Sequence, residues 1–134
     1  MVELLENFPS YVVAYKASGI VDADEYKKIV MKRVDEVAQK YDAINLIVRL
    51  ETGMQNYTLN ALLDYLKISF KHIRRWNRMA IVSDQKTVRL FYDALSPLVP
   101  GKVQGFTLDD YDKAAAWVSE PFLTDENRMN SPKP

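Results

Sequence analysis

Apolar and polar positions run along the chain in two periods, and the switches between them mark out the elements. Tyr11–Ala17 reads Tyr-Val-Val-Ala-Tyr-Lys-Ala, β-branched and aromatic, which predicts a strand. Glu3–Asn7 predicts a short strand ahead of it, with Phe8-Pro9-Ser10 turning the chain. Strands so close in sequence run antiparallel, because a parallel crossover needs roughly a dozen residues or more. The period then lengthens. Tyr26, Ile29, Val30, Val34, Val37, Ala38 and Tyr41 fall at helical spacing. Before them, Asp22-Ala23-Asp24-Glu25 has the form of a capping box, in which Asp22 accepts from a free backbone N–H and Glu25 reaches back.

Ile44–Leu50 is almost continuously apolar, the mark of a strand buried on both faces of a parallel sheet. A polar loop with Gly53 follows, and Asn56 or Thr58 is the expected cap of a second helix from about Leu59 to Arg74. Arg78–Ser83 predicts another buried strand. A third helix starts near Gln85 and ends before Pro97 or Pro100-Gly101, and Val103–Phe106 predicts a short strand. Thr107-Leu108-Asp109-Asp110 has the form of a second capping box, opening a helix with Tyr111, Ala114, Ala115 and Val118 on one face. From Pro121 the chain is polar and proline-rich without a period, so residues 121–134 are expected to form a mobile tail after a single domain of residues 1–120. The order ββαβαβαβα predicts an α/β fold: a mostly parallel sheet covered by helices, with the first strand reversed.

Composition narrows the function classes. With 48% apolar and 27% charged residues the chain can bury a real core. Its net charge of zero argues against a chain-wide nucleic-acid footprint, so no nucleic-acid partner is expected. It has no cysteine, which excludes disulfides, thiolate catalysis and zinc–thiolate sites. Met1–Asn7 lacks the basic and apolar regions of a signal peptide, and no apolar run approaches the roughly 20 residues that span a bilayer. A cytoplasmic location is the expectation, with peripheral attachment at the inner membrane face left open.

Catalytic signatures are missing. Gly19, Gly53, Gly101 and Gly105 sit in no phosphate-cradling loop, and the lone histidine, His72, has no second ligand type to share a metal with. The acidic pairs Asp24-Glu25 and Asp109-Asp110 lie in helix first turns, where the dipole accounts for them, and Asp35-Glu36 lies on a solvated face. Neither enzymatic activity nor a metal nor a cofactor is expected.

The second helix stands out. Leu59, Leu62, Leu63, Leu66, Phe70 and Ile73 make one core-facing stripe, while Ala61, Tyr65 and Ile68 extend the apolar surface around the circumference. Lys71, His72, Arg74, Arg75, Trp76 and Arg78 then follow, and no acidic residue occurs between Asp64 and Asp84. Two readings stay open. One has the helix packed between the sheet and a neighbour, its cations matching the C-terminal dipole. The other takes apolar surface beside cations as a site for anionic headgroups or an amphipathic ligand, or for a homodimer.

Three segments also carry a resemblance: Leu59–Ile73, then Arg78-Met79-Ala80-Ile81-Val82-Ser83-Asp84, then Phe106 with Ala114-Ala115-Ala116-Trp117-Val118. Together with the element order they resemble the SpoIIAA-like family, a bacterial group whose fold is related to the STAS (anti-sigma-factor antagonist) domain and similar to the lipid-binding part of CRAL-TRIO proteins. The resemblance covers about Leu4 to Val118. It implies a mixed five-stranded sheet flanked by four helices. Kinship with the lipid binders implies a hydrophobic or amphipathic small ligand, or an anionic membrane surface, with the second and third helices as lips. Tyr57, Leu62, Tyr65, Leu66, Phe70, Phe91, Tyr92 and Leu95 would then line the cavity, and Lys71, His72, Arg74, Arg75 and Arg78 would form a basic surface. Kinship with STAS domains implies instead a regulatory module for a protein partner, switched by phosphate on a serine at the start of the second helix. This chain has Thr52-Gly53-Met54-Gln55-Asn56-Tyr57-Thr58 in place of the usual Asp-Ser-Ser-Gly there, and Thr58 is positionally nearest.

Overall fold

The computed structural model is described over residues 1–72 and 76–120, with the backbone alone at residues 70–72. The elements are β1 (Val2–Leu4), β2 (Val12–Ala17), α1 (Ala23–Tyr26), a π-helical turn (Lys27–Met31), α2 (Lys32–Lys40), β3 (Ile44–Leu50), α3 (Asn56–His72), β4 (Trp76–Val82), α4 (Gln85–Leu95), β5 (Lys102–Phe106), a 3-10 turn (Leu108–Asp110) and α5 (Tyr111–Ser119). The first helix of the sequence pattern is thus α1 and α2, joined through the π turn. The five strands form one sheet in the order β1-β2-β3-β4-β5, with β1 antiparallel to β2 and every later pair parallel.

This order has a geometric consequence. Parallel strands laid side by side in chain order, each reached by a right-handed crossover, place every crossover helix on the same face. Accordingly α1 to α4 share a first face with Val13, Tyr15, Ala17, Leu46, Val48, Leu50, Met79 and Ile81. Among the described residues, the second face, with Val12, Ala14, Ile47, Ala80 and Val82, receives only α5 through Ala114 and Val118, plus flanking side chains such as Phe8, Tyr11 and Trp117. Burial on both faces explains why β3 is almost continuously apolar.

Local chemistry differs from the sequence expectation at both helix starts with acidic boxes. Asp22 does accept from the Glu25 amide at 2.8 Å, but the Glu25 carboxylate turns to the Val2 amide at 2.7 Å, so it ties β1 to the helix instead of closing the box. Thr107 makes no side-chain bond to a backbone amide of the following turn, which is 3-10 rather than α. The second helix begins at Asn56, three residues earlier than expected: Gly53 turns the loop at φ 84°, and the Gln55 carbonyl accepts from the Thr58 and Leu59 amides at 3.0 and 3.1 Å. Thr58 therefore lies inside the first turn rather than capping it. β4 starts at Trp76, earlier than expected, and Trp76 is buried.

The β3–β4 pairing shifts register between Ile44 and Asn45, leaving Asn77 as an extra residue in β4. Asn45, fully buried, binds across this bulge. Its amide oxygen accepts from the Arg78 backbone N–H at 3.0 Å and the Asn77 side chain at 3.2 Å, and its amide nitrogen donates to the Val118 carbonyl at 2.7 Å. The neighbouring carbonyls at the end of α5 are met the same way. Trp117 O accepts from Arg78 at 2.7 Å and Ser119 O from the Tyr11 hydroxyl at 2.5 Å. Three carbonyls that a helix C-terminus leaves without partners thus find donors on, or just before, three adjacent strands.

Candidate functional site

β3 and β4 are neighbours and end level, Arg49 pairing with Val82, so the helices that follow them begin side by side. Ser83 fixes the joint: its hydroxyl donates to the Leu50 carbonyl at 2.9 Å and its amide to the Phe106 carbonyl at 3.1 Å. Asp84 then caps α4, accepting from the Thr87 amide at 2.8 Å. Neither α3 nor α4 carries an acidic residue in its first turn.

Two open grooves lie at this end. A smaller one, about 280 Å³, runs between the first turns of α3 and α4 and is lined by Asn56, Leu59, Asn60, Lys86, Thr87 and Leu90. A larger one, about 940 Å³, runs between α4 and the outer strand β5, with Arg89, Tyr92 and Phe106 among its walls. Lys86 belongs to both, on the ridge that separates them. Tyr57, 61% exposed, stands on the first turn of α3, and Leu90, 41% exposed, on α4. Among the described residues no group of three or more His, Asp or Glu side chains is placed to hold a metal ion, and no helix is long and apolar enough to cross a membrane.

The side chains expected to line a hydrophobic cavity do not converge. Leu62, Leu66, Phe91 and Leu95 are buried in the first-face core with Leu46, Val48 and Ile81, and neither groove reaches them. Tyr65 is half-buried, its ring 5.2 Å from that of Tyr26. Tyr57 and Tyr92 face solvent on different helices. The Phe70 side chain lies outside the described residues. So do the side chains of Lys71 and His72, and Arg74 and Arg75 altogether. Arg78 departs from the expected basic surface. It sits on the second face, stacked 5.2 Å above Trp117 and paired with Glu120 at 2.7 Å. Its β4 position, one residue past the bulge, turns it toward α5.

Thr58 is 2% exposed, and its hydroxyl is buried without a hydrogen-bond partner among the described residues. Deeper in the core, Tyr15 and Tyr26 meet edge to face at 6.0 Å. Burial pushes the phenol of Tyr15 well above its usual range and that of Tyr26 upward too, the Ser69 hydroxyl offsetting part of the latter. Both are neutral packing groups.

Sequence reasoning saw in Asn56 only a cap, and missed Asn60, Lys86, Leu90 and, in the other groove, Arg89. Nothing in their local pattern marks them as a site, because the first groove is assembled by the level ending of two strands distant in sequence and the second by the packing of α4 beside β5. No curated protein and no solved structure matches the chain. A family model described as SpoIIAA-like matches residues 12–119, from the start of β2 to the end of α5. The reversed first strand, the four parallel strands in chain order and the helices around them agree with that match, and the chain belongs to the SpoIIAA-like family.

Proposed function

We propose that the protein is a regulatory protein-interaction module of the STAS type, and that its partner docks on the shoulder formed by the first turns of α3 and α4. The observation that carries this reading is the exposure of Tyr57 and Leu90 around the groove of Asn56, Asn60 and Lys86. Protein interfaces combine such apolar anchors with a polar rim. Lys86 stands beside two helices whose first turns hold no acid, with Asp84 engaged as the cap of α4, and this balance favours an acidic patch on the partner. A phosphate switch at Thr58 draws no support from its burial: a kinase would first have to open the turn that hides the hydroxyl. The hydrophobic-ligand reading draws none either, since half of its lining residues are spent on the core.

The test is site-specific photocrosslinking in cells. Benzoylphenylalanine at positions 57 and 90 is expected to give a discrete protein adduct that Asn60→Arg abolishes, while the probe at Lys28, on the exposed side of the π turn, gives none. No adduct from 57 or 90, or the same adduct from 28, would remove the proposal.

A further inference from the structure

β5 is the outer strand of the sheet, and among the described residues it pairs only with β4. Its main-chain polarity can be read from one bond. The Phe106 carbonyl accepts from the Ser83 amide, so Phe106 directs its backbone groups toward β4. Backbone direction alternates along a strand, so Val103 and Gly105 present their N–H and C=O groups outward. An outer strand with free donors and acceptors is a template for another strand.

The wall beside that edge has its own chemistry. α4 lies unusually close to β5, because Gly105 has no side chain: a Cβ there would stand 2.1 Å from Cγ1 of Val88. The groove along this contact exposes Arg89, Lys86 and Tyr92. Neither Arg89 nor Lys86 has an ion-pair partner among the described residues, and Asp93 is the single acid in the lining. Among the described residues, two cations without ion-pair partners and an aromatic ring flank main-chain groups without hydrogen-bond partners.

We propose that the free edge of β5 takes an extended acidic segment of a protein partner as a sixth strand. The segment bonds to the outward groups of Val103 and Gly105, and its side chains on the α4 side, carboxylates among them, meet Arg89, Lys86 and Tyr92. Strand addition supplies affinity through the main chain and selectivity through alternate side chains. This surface shares Lys86, on the dividing ridge, with the α3–α4 shoulder, but the strand pairing and Arg89 lie outside the shoulder and do not depend on it.

Selection from a random dodecapeptide phage library against the whole protein tests the idea, followed by amide exchange by NMR with the selected peptides. The expected peptides carry acidic residues at alternate positions, and they slow exchange at Val103 and Gly105, whose amides face away from β4. Arg89→Glu should weaken binding tenfold or more. Val103→Pro removes one outward N–H where an edge strand tolerates proline, and should abolish binding with the β4 ladder kept. Asn60→Arg should leave it unchanged, which separates this surface from the shoulder. Four outcomes overturn the proposal: no enriched peptide; peptides that bind Arg89→Glu undiminished; protection confined to α3; or slow exchange at Val103 and Gly105 in the protein alone, which would mean that a second copy or the chain's own segment already covers the edge.

Discussion

Replacing Asn45 with leucine probes whether polar contacts, rather than apolar area, hold α5 on the sheet. The side chains share one branched shape, so the change replaces the two hydrogen-bonding ends with somewhat larger methyl groups and leaves no cavity. Two backbone groups then lose their partners: the Val118 carbonyl, which is buried, and the Arg78 amide, which is partly buried. A buried group stripped of its partner costs about 1–3 kcal/mol, and the half-buried one less. The Asn77 side chain, also partly buried, can turn toward water and adds little. Leucine recovers about 1 kcal/mol by no longer burying an amide. The net loss is about 1–3 kcal/mol, an appreciable part of the roughly 5–15 kcal/mol that stabilises a domain. Urea unfolding followed by fluorescence measures it: the midpoint should fall with an unchanged slope, since the surface exposed on unfolding is the same. Near-ultraviolet dichroism from Trp117 should weaken below the transition if α5 loosens first. A variant within 0.5 kcal/mol of the parent, or more stable than it, would refute the argument and show that Ala114 and Val118 alone dock the helix.

Two further outcomes follow, one at the bulge and one in the first-face core. Gly101→Ala would place its Cβ 1.8 Å from the carbonyl oxygen of Asn77 at the bulge, a backbone clash that no rotamer relieves, and should destabilise by about 3 kcal/mol in chemical denaturation. For Tyr15 and Tyr26 the sign is fixed by direction: burial raises both folded-state phenols above the ordinary 10.0, so their contribution to stability is complete below pH 10 and is lost as pH climbs from there toward the raised values. Absorbance at the phenolate band should show these two residues ionising last and together with unfolding; early, reversible titration of every tyrosine in the folded state would contradict their burial.

The sequence was most readable where one physical demand acted alone. Burial on both faces wrote β3 as a run of apolar residues, and its bounds, Ile44 and Leu50, were found as they stand. The leucines of α3 announced their core face because Leu59, Leu62, Leu63 and Leu66 all pack on the sheet. Where two demands compete, local signals mislead. Thr58 is a good capping residue by type, but the turn at Gly53 starts the helix earlier and buries it. Glu25 fits a capping box, but a strand amide 23 residues away is the partner it takes. Arg78 continues a run of cations in sequence, and the register of β4 sends it to the opposite face from the helix it follows. The grooves were not legible at all, because Asn60 and Lys86, or Arg89 and Phe106, become neighbours only through strand order.

The lopsided distribution of helices has a consequence for how the chain is made. Synthesis delivers β2, β3 and β4 with α1 to α4 before α5 exists, so the first face can close while the second is still bare. Until the last turn of α5 arrives, Val12, Ala14, Ile47, Ala80 and Val82 form an apolar sheet surface facing water, with Tyr11, Asn45 and Arg78 holding out donors to a helix not yet there. A nascent or truncated chain lacking that helix is a sticky half-finished sheet, the kind of species that chaperones shield and that aggregates when they do not.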